Sequence, residues 1–277
     1  MAKPAPQIPN PLESGQFTLD GGSFTGNVGS TDPDNQPVLS LEHGATVDAH
    51  TAGFGSPFVV AGQARFSTFD VKQTDTLNIT ALGGSPLPGP GIETVNVEPG
   101  GRADLNIQQG LGQLTVNGGN GARVVNFDGT IFNGGKVSIQ PALVGSGTVS
   151  LVASDPPPNS LTLDRGVSSG ETIRLNEGNL QLNDPMQFLG EIDWQPGSDI
   201  PLPITTTLAG VSADSYSLSN DMLSLFQGDR DVLNLRVSVP AGAPFNVSGT
   251  SQGVLLSTFS PQPGNGTPLP VHASVIG

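Results

Sequence analysis

This chain has no cysteine, which removes thiolate nucleophiles and thiolate metal sites, and only three histidines could serve as imidazole bases. His43 and His50 stand seven residues apart, with Glu42 and Asp48 beside them, in a glycine-rich stretch. Imidazoles and carboxylates at that spacing are the donors of a metal centre or an acid–base pair. A solvated turn carries the same residues, and the turn reading is preferred. His272 stands apart from both. Asp32-Pro-Asp34 and Asp229-Arg-Asp231 come nearest to the paired carboxylates of a glycosidase, or to an acidic calcium cluster with a basic neighbour. Both read as turns, where Asp is favoured because its side chain bonds its own backbone. Gly118-Gly-Asn-Gly-Ala-Arg123 begins like a calcium-binding nonapeptide but places Arg123 where the Asp ligand belongs, so it reads as a glycine turn. Asn78 and Asn246 open Asn-x-Ser/Thr sites that act only in a glycosylating pathway. No Gly-x-Ser-x-Gly elbow stands in a strand-to-helix setting, and phosphate-loop and dinucleotide fingerprints are absent from the sequence. The expectation is no catalytic residue, no metal ligand set and no cofactor.

Composition narrows the class further. The 38 Gly and 25 Pro of 277 residues stand well above the usual combined share of roughly 12%. Such enrichment fits either disorder or a fold built of turns. Charged residues make up only 12%, and the net charge is −14. A nucleic-acid backbone would be repelled, and no basic cluster compensates locally, so nucleic acid is not an expected partner. The acidity suits the solubility of an edge-rich β protein. The opening Met1-Ala-Lys-Pro-Ala-Pro-Gln-Ile-Pro lacks the apolar region of a Sec signal peptide, and no apolar run is long enough for a membrane span.

The elements that must position these residues are strands. Val137-Ser-Ile139, Val149-Ser-Leu151, Leu161-Thr-Leu163 and Ile173-Arg-Leu175 are apolar-polar-apolar triplets that begin 12 residues apart. Leu180-Gln-Leu182 follows. Alternation of period two marks a strand with one buried face. Gly145-Ser-Gly147, Pro156-Pro-Pro-Asn159, Ser168-Ser-Gly170 and Glu177-Gly-Asn179 fill the gaps with turn chemistry. None of these gaps could hold a crossover helix. Earlier candidates are Phe17-Thr-Leu19, Val38-Leu-Ser-Leu41, Phe58-Val-Val60, Leu77-Asn-Ile79, Val95-Asn-Val97, Leu105-Asn-Ile107 and Leu114-Thr-Val116. The central Asn residues of Val95-Asn-Val97 and Leu105-Asn-Ile107 should point outward, or form ladders if coils stack. Gly83 to Gly91 reads as a surface loop. Between Trp194 and Ile204 the prolines forbid a central strand. Longer alternations at Tyr216–Leu218, Leu223–Phe226, Leu233–Val239 and Val254–Leu256 suggest a terminal sheet that closes the open end.

Gly145-Ser-Gly-Thr-Val-Ser-Leu151, Leu180-Gln-Leu-Asn-Asp-Pro-Met-Gln-Phe-Leu-Gly-Glu-Ile192 and Gly197-Ser-Asp-Ile200 resemble a module of proteobacterial surface proteins. These are the autotransporter-passenger-like, adhesin-like β-solenoids. The likeness spans about residues 136–256. The family's Gly-Asp-x-Ile loop is altered here to Gly-Ser-Asp-Ile, and nothing in the sequence is patterned like a translocator barrel. The resemblance implies a scaffold and an extracellular habit, and it transfers no catalytic residue.

The sequence therefore leads to an all-β protein: a β-solenoid, a right-handed parallel β-helix, with a C-terminal β cap and Pro-rich tails. The expected parts are a Pro-rich arm at 1–16, the solenoid at 17–195, the cap at 196–260 and a tail at 261–277. The expected function is non-enzymatic, adhesin-like and structural, at the cell surface or outside the cell, with other copies of itself as partner through ends or tails. Residues 1–16 are the candidate assembly arm, to lie either on their own domain or on a neighbouring copy. The alternatives are a polysaccharide-binding or polysaccharide-cleaving solenoid, and a phage fibre or spike subunit.

Overall fold

The structure is a computed structural model that describes residues 8–52, 65–72, 74–81, 91–110, 112–152, 158–196, 203–259 and 266–272. Phe58–Val60, the loop before Gly91, and Gly197–Ile200 lie outside the described residues.

The chain opens with β1 (Gln16–Asp20), β2 (Ser23–Asn27), β3 (Val38–Glu42), β4 (Thr46–Ala52), β5 (Arg65–Val71) and β6 (Thr74–Ala81). It continues through β7 (Gly91–Val97), β8 (Arg102–Gln109), β9 (Gly112–Gly118), β10 (Arg123–Ile131), β11 (Lys136–Ile139) and β12 (Ala142–Leu143). Next come β13 (Ser146–Leu151), β14 (Ser160–Leu163), β15 (Gly170–Leu175), β16 (Gly178–Leu182), β17 (Glu191–Trp194) and β18 (Ile204–Ala209). The last are β19 (Ser215–Ser219), β20 (Met222–Gln227), β21 (Arg230–Ser238), β22 (Asn246–Thr250), β23 (Gly253–Ser257) and β24 (Thr267–Pro268).

Apart from the two-residue β12, which pairs with the start of β10, the strands up to β18 alternate between two parallel sheets. One runs β1-β3-β5-β7-β9-β11-β14-β16-β18, and the other runs from β2 through β4, β6, β8, β10, β13 and β15 to β17. Each turn of chain gives one strand to each sheet, which is the expected solenoid. Val137 stands in register with Leu161, and Val149 with Ile173. The interval of 12 residues in the sequence is therefore half a turn.

The core follows from that stacking. Inward residues form columns that cross every rung of a sheet. One column reads Phe17, Leu39, Phe69, Val95, Val116, Ile139, Leu163, Leu182 and Leu208, and it passes into the cap at Val254. All but Phe17 are buried. Burial of each such side chain contributes about 1.5–3 kcal/mol, offset by the entropy of ordering the chain.

The turns are fixed by small residues and by one amide. Gly145 and Gly147 let β13 start against the β10 backbone, since a Cβ at either would overlap the carbonyl of Val125 or Phe127. In Pro185-Met-Gln-Phe188, the prolyl residue starts a short 3-10 turn that buries Phe188 in a corner stack with Val167 and Leu143. Asn159 is fully buried. Its Oδ1 accepts from the Gly134 amide at 2.9 Å, and its Nδ2 donates to Val152 O at 2.7 Å and to Glu177 Oε1 at 2.8 Å. Three successive stretches of chain are held by that one side chain.

The polarity changes directly beyond β18, but beyond β17 only after β21, which still pairs parallel with β17. β23 joins β18 antiparallel, followed by β22 and β24, while β21, β20 and β19 extend the other sheet. Trp194 ends β17, fully buried at this junction, with its Nε1 at 3.4 Å from Pro244 O and its ring edge-on to Phe245 at 5.2 Å. The proline-rich stretch after it joins two strands and contributes its ends to them. β18, at Ile204–Ala209, still pairs parallel with β16, so the solenoid ladder runs into the stretch that introduces the cap.

Asn159→Ala should lower unfolding free energy by about 2–4 kcal/mol, because a buried amide proton, a carbonyl and a carboxylate each lose a hydrogen bond together. Chemical denaturation of the variant checks this, with the exposed Gln140→Ala expected to leave the midpoint unchanged.

Candidate functional site

The groups that sequence marks for chemistry are dispersed over the structure and engaged one by one. Glu42 closes β3 and binds Lys72 Nζ at 2.7 Å. His43 lies in the turn after it, at φ 55°, with Nδ1 at 2.5 Å from Asp20 Oδ1 on the neighbouring rung. Asp48 and His50 belong to the other sheet, outward on β4 and 3.9 Å apart. The four residues do not converge. Asp32 caps a 3-10 turn by accepting the Asp34 amide at 3.0 Å. Asp231 accepts from Asn234 Nδ2 at 2.8 Å inside a hairpin. The Gly118–Arg123 stretch is a turn between β9 and β10, and Arg123 lies in register with Arg102. Asn78 points outward from β6, and Asn246 donates to Ser257 O at 3.4 Å.

His272 has company that its position in the sequence does not show. Ser215 Oγ donates to Asp214 Oδ1 at 3.0 Å and lies 3.3 Å from His272 Nδ1, while the imidazole stacks on Phe226 at 4.1 Å. A nucleophilic triad puts the imidazole between serine and carboxylate. Here the serine stands in the middle, and its proton goes to the acid. The Gly228 amide, at 2.7 Å, and then the Ser215 hydroxyl hold the Asp214 pKa below its ordinary value. The arrangement ties a terminal strap to the cap.

Between the rungs the polar side chains form ladders. Asn117 donates to Asn96 Oδ1 at 3.0 Å and Asn96 to Asp70 Oδ1 at 2.8 Å, which joins β9, β7 and β5 on their outer face. Asn106 also points outward, as its place in the triplet requires. Arg174 binds Asp193 at 2.8 Å and Arg236 binds Glu191 at 3.1 Å, each to the adjacent rung. Next to the Asn ladder runs a column of hydroxyls: Thr68, Thr94, Thr115, Ser138 and Thr162, in register on five successive strands. A cleft of about 730 Å³ opens in the cap among Thr207, Thr250, Gln252, Leu255 and Thr267, and among the described residues no titratable group lines it.

Two carboxyls that sequence reading passed over are the most perturbed groups in the described structure. Glu93 faces inward on β7, in the column where later rungs carry Leu114, Val137, Leu161 and Leu180. Ser67 precedes it in that column, and Thr51 and Gln109 come from the opposite sheet, each of the four at most 1% exposed. Burial pushes the Glu93 pKa up to about 7, and the facing Thr51 hydroxyl and Gln109 amide offset only part of that. None of the four side chains completes a hydrogen bond. Glu171 repeats the theme on β15, in register with Gly147, its pKa raised to about 7 by burial and then by the Asp128 charge. The signal was parity. In Glu93-Thr-Val-Asn-Val97 and Glu171-Thr-Ile-Arg-Leu175 the acid occupies the apolar phase of the alternation.

No known family model matches this chain, and no curated protein matches it in sequence.

A raised carboxyl pKa fixes the sign of a pH effect. Below about pH 4.5, its ordinary value, Glu93 is neutral whether the chain is folded or not. Between there and about 7 the unfolded chain ionises while the folded chain keeps its proton, so stability falls as pH rises. Above 7 the full effect is present. Glu93→Gln should therefore be more stable than the parent at pH 8, by up to ~3 kcal/mol, and nearly equal to it at pH 4. Denaturation midpoints of both proteins across that range check the trend.

Proposed function

We propose that this chain is a non-enzymatic, adhesin-like structural protein of a bacterial surface or of the extracellular space, joining other copies of itself through its ends. The observation that carries this reading is how the reactive side chains are used. The paired acids and imidazoles bind between rungs or cap turns, as in Asp20–His43, Glu42–Lys72, Asp193–Arg174 and Asp32. Polar chemistry here holds a rod together. The resemblance of residues 136–256 to surface-protein solenoids points the same way.

A second reading has its own observation. The hydroxyl column from Thr68 to Thr162, beside the Asn96–Asn117 ladder, repeats one chemical group at the strand spacing of about 4.8 Å. A linear neutral polysaccharide is a repetitive ligand that suits a repetitive face.

The described part of the Pro-rich arm lies on its own molecule. Leu12 is fully buried and bridges to Val28, and Ile8 packs against the core. Residues 1–7 lie outside the described residues.

Light scattering of the full-length chain over a concentration series, with electron microscopy of the same samples, tests the leading reading. The expected outcome is species heavier than the 28.2 kDa monomer. A discrete trimer would move the assignment to a fibre or spike subunit. A monomer at every concentration would overturn self-association, and polysaccharide binding would then be measured.

A further inference from the structure

We propose that two copies of this chain join symmetrically through β1, antiparallel and centred on Thr18. The inference rests on the reading that the protein self-associates, and it names the end, the strand and the register.

The far end of the solenoid is closed by its own chain. β24 pairs with β22, and Leu269 N donates to Val247 O at 2.9 Å. The same segment then crosses to the other sheet, where Tyr216 N donates to Pro270 O at 3.1 Å and His272 N to Tyr216 O at 2.6 Å. Both terminal edges are thereby engaged by one strap.

The near end is closed on one sheet and open on the other. Along β2, Leu12 N donates to Asn27 O at 2.8 Å, and Gly29 N donates to Leu12 O at 3.0 Å. Asn10 Oδ1 accepts from Asn27 N at 3.0 Å, and its Nδ2 reaches Thr25 O at 3.5 Å. β1 has no such cover among the described residues, and β3 is its single strand neighbour. Gly15 O accepts from Val38 N at 2.9 Å and Gly21 N donates to Glu42 O at 2.8 Å. In a parallel pair, alternate residues of a strand bond one neighbour. Gly15, Phe17, Leu19 and Gly21 therefore serve β3, while the main chains of Gln16, Thr18 and Asp20 face away from it.

That free edge is complementary to itself. An antiparallel pair centred on Thr18 sets Thr18 against Thr18 of the second copy and Gln16 against Asp20. All three positions are the ones whose amides and carbonyls face outward, so each opposed pair exchanges two main-chain hydrogen bonds. No acid opposes an acid, although the chain carries a charge of −14. Phe17 and Leu19, both half-buried and packed on the core, come opposite each other across the axis. Each apolar column of one copy thus runs on into the other, and a closed two-fold dimer results.

The full-length protein tests this with three variants of Thr18 and one control. The chain has no native cysteine, so Thr18→Cys gives a lone thiol. Hydrogen-bonded antiparallel partners have Cα atoms about 5.5 Å apart, within disulfide range. Thr18→Cys should give a disulfide-linked dimer under mild oxidation, while Thr115→Cys, in the middle of the same sheet, stays unlinked. Thr18→Pro removes an amide that faces the second copy and no bond to β3, and Thr18→Lys opposes like charges across the axis. Each should weaken dimerisation at least tenfold in sedimentation velocity with an unchanged circular dichroism spectrum. If the parent associates and Thr18→Lys associates equally well, with the Thr18→Cys protein unlinked, this interface is wrong while self-association stands. If the parent is monomeric throughout and the Thr18→Cys protein stays unlinked, both readings fall.

Discussion

The constraint on which this structure depends is the narrow space between its two sheets. Facing sheets pack about 10 Å apart, so the interior has room for one layer of interlocking side chains from each. Every rung must fill its own part of that space, because the strands above and below cannot lend it atoms. The columns from Leu39 to Leu208, and from Gln109 through Ile131, Leu151 and Leu175 to Trp194, are the result. Trp194, first among the largest fully buried side chains, ends its column at the junction with the cap.

Legibility in the sequence followed that constraint. Where each rung fills the interior with an apolar-polar-apolar triplet and the turns are short, from Val137 to Leu182, the strands could be read directly. β2, β4 and β5 were not picked out. Phe24-Thr-Gly26, Val47-Asp-Ala49-His-Thr51 and Ser67-Thr-Phe69-Asp-Val71 put Gly, Ala, Thr or Ser on inward positions, so their alternation is faint. The cap was legible as longer alternation. The reversal of strand direction within it was not, because an antiparallel and a parallel strand carry the same period.

The chemistry was legible to a different degree. Residue type alone drew attention to His43, His50 and the turn aspartates, and the structure places these at surfaces and turns. Among the groups it buries without completing a hydrogen bond are Glu93, Gln109 and Glu171, which look ordinary in a list of residue types and unusual only by phase. A carboxyl on the apolar phase of a strand is a stronger sign than a histidine beside a glycine, because the first must leave water and the second need not. The Asp214–Ser215–His272 group could not have been read at all, since a strap crossing two sheets brings its members together.

The parallel ladder also sets how such a rod meets a pull along its axis. Hydrogen bonds between rungs lie along that axis and are loaded one after another, so the weakest rung yields while the others hold. Between the solenoid strands up to β18, register partners lie as few as 19 residues apart, at Leu163 and Leu182, and as many as 30, at Leu39 and Phe69. Each rung that yields therefore releases roughly 65–100 Å of extended chain. One end is tied by a strap, while at the other β1 has no cover among the described residues, so in a single copy release proceeds from β1 inward. The molecule is then a rod at rest and a stepwise extensible tether under load.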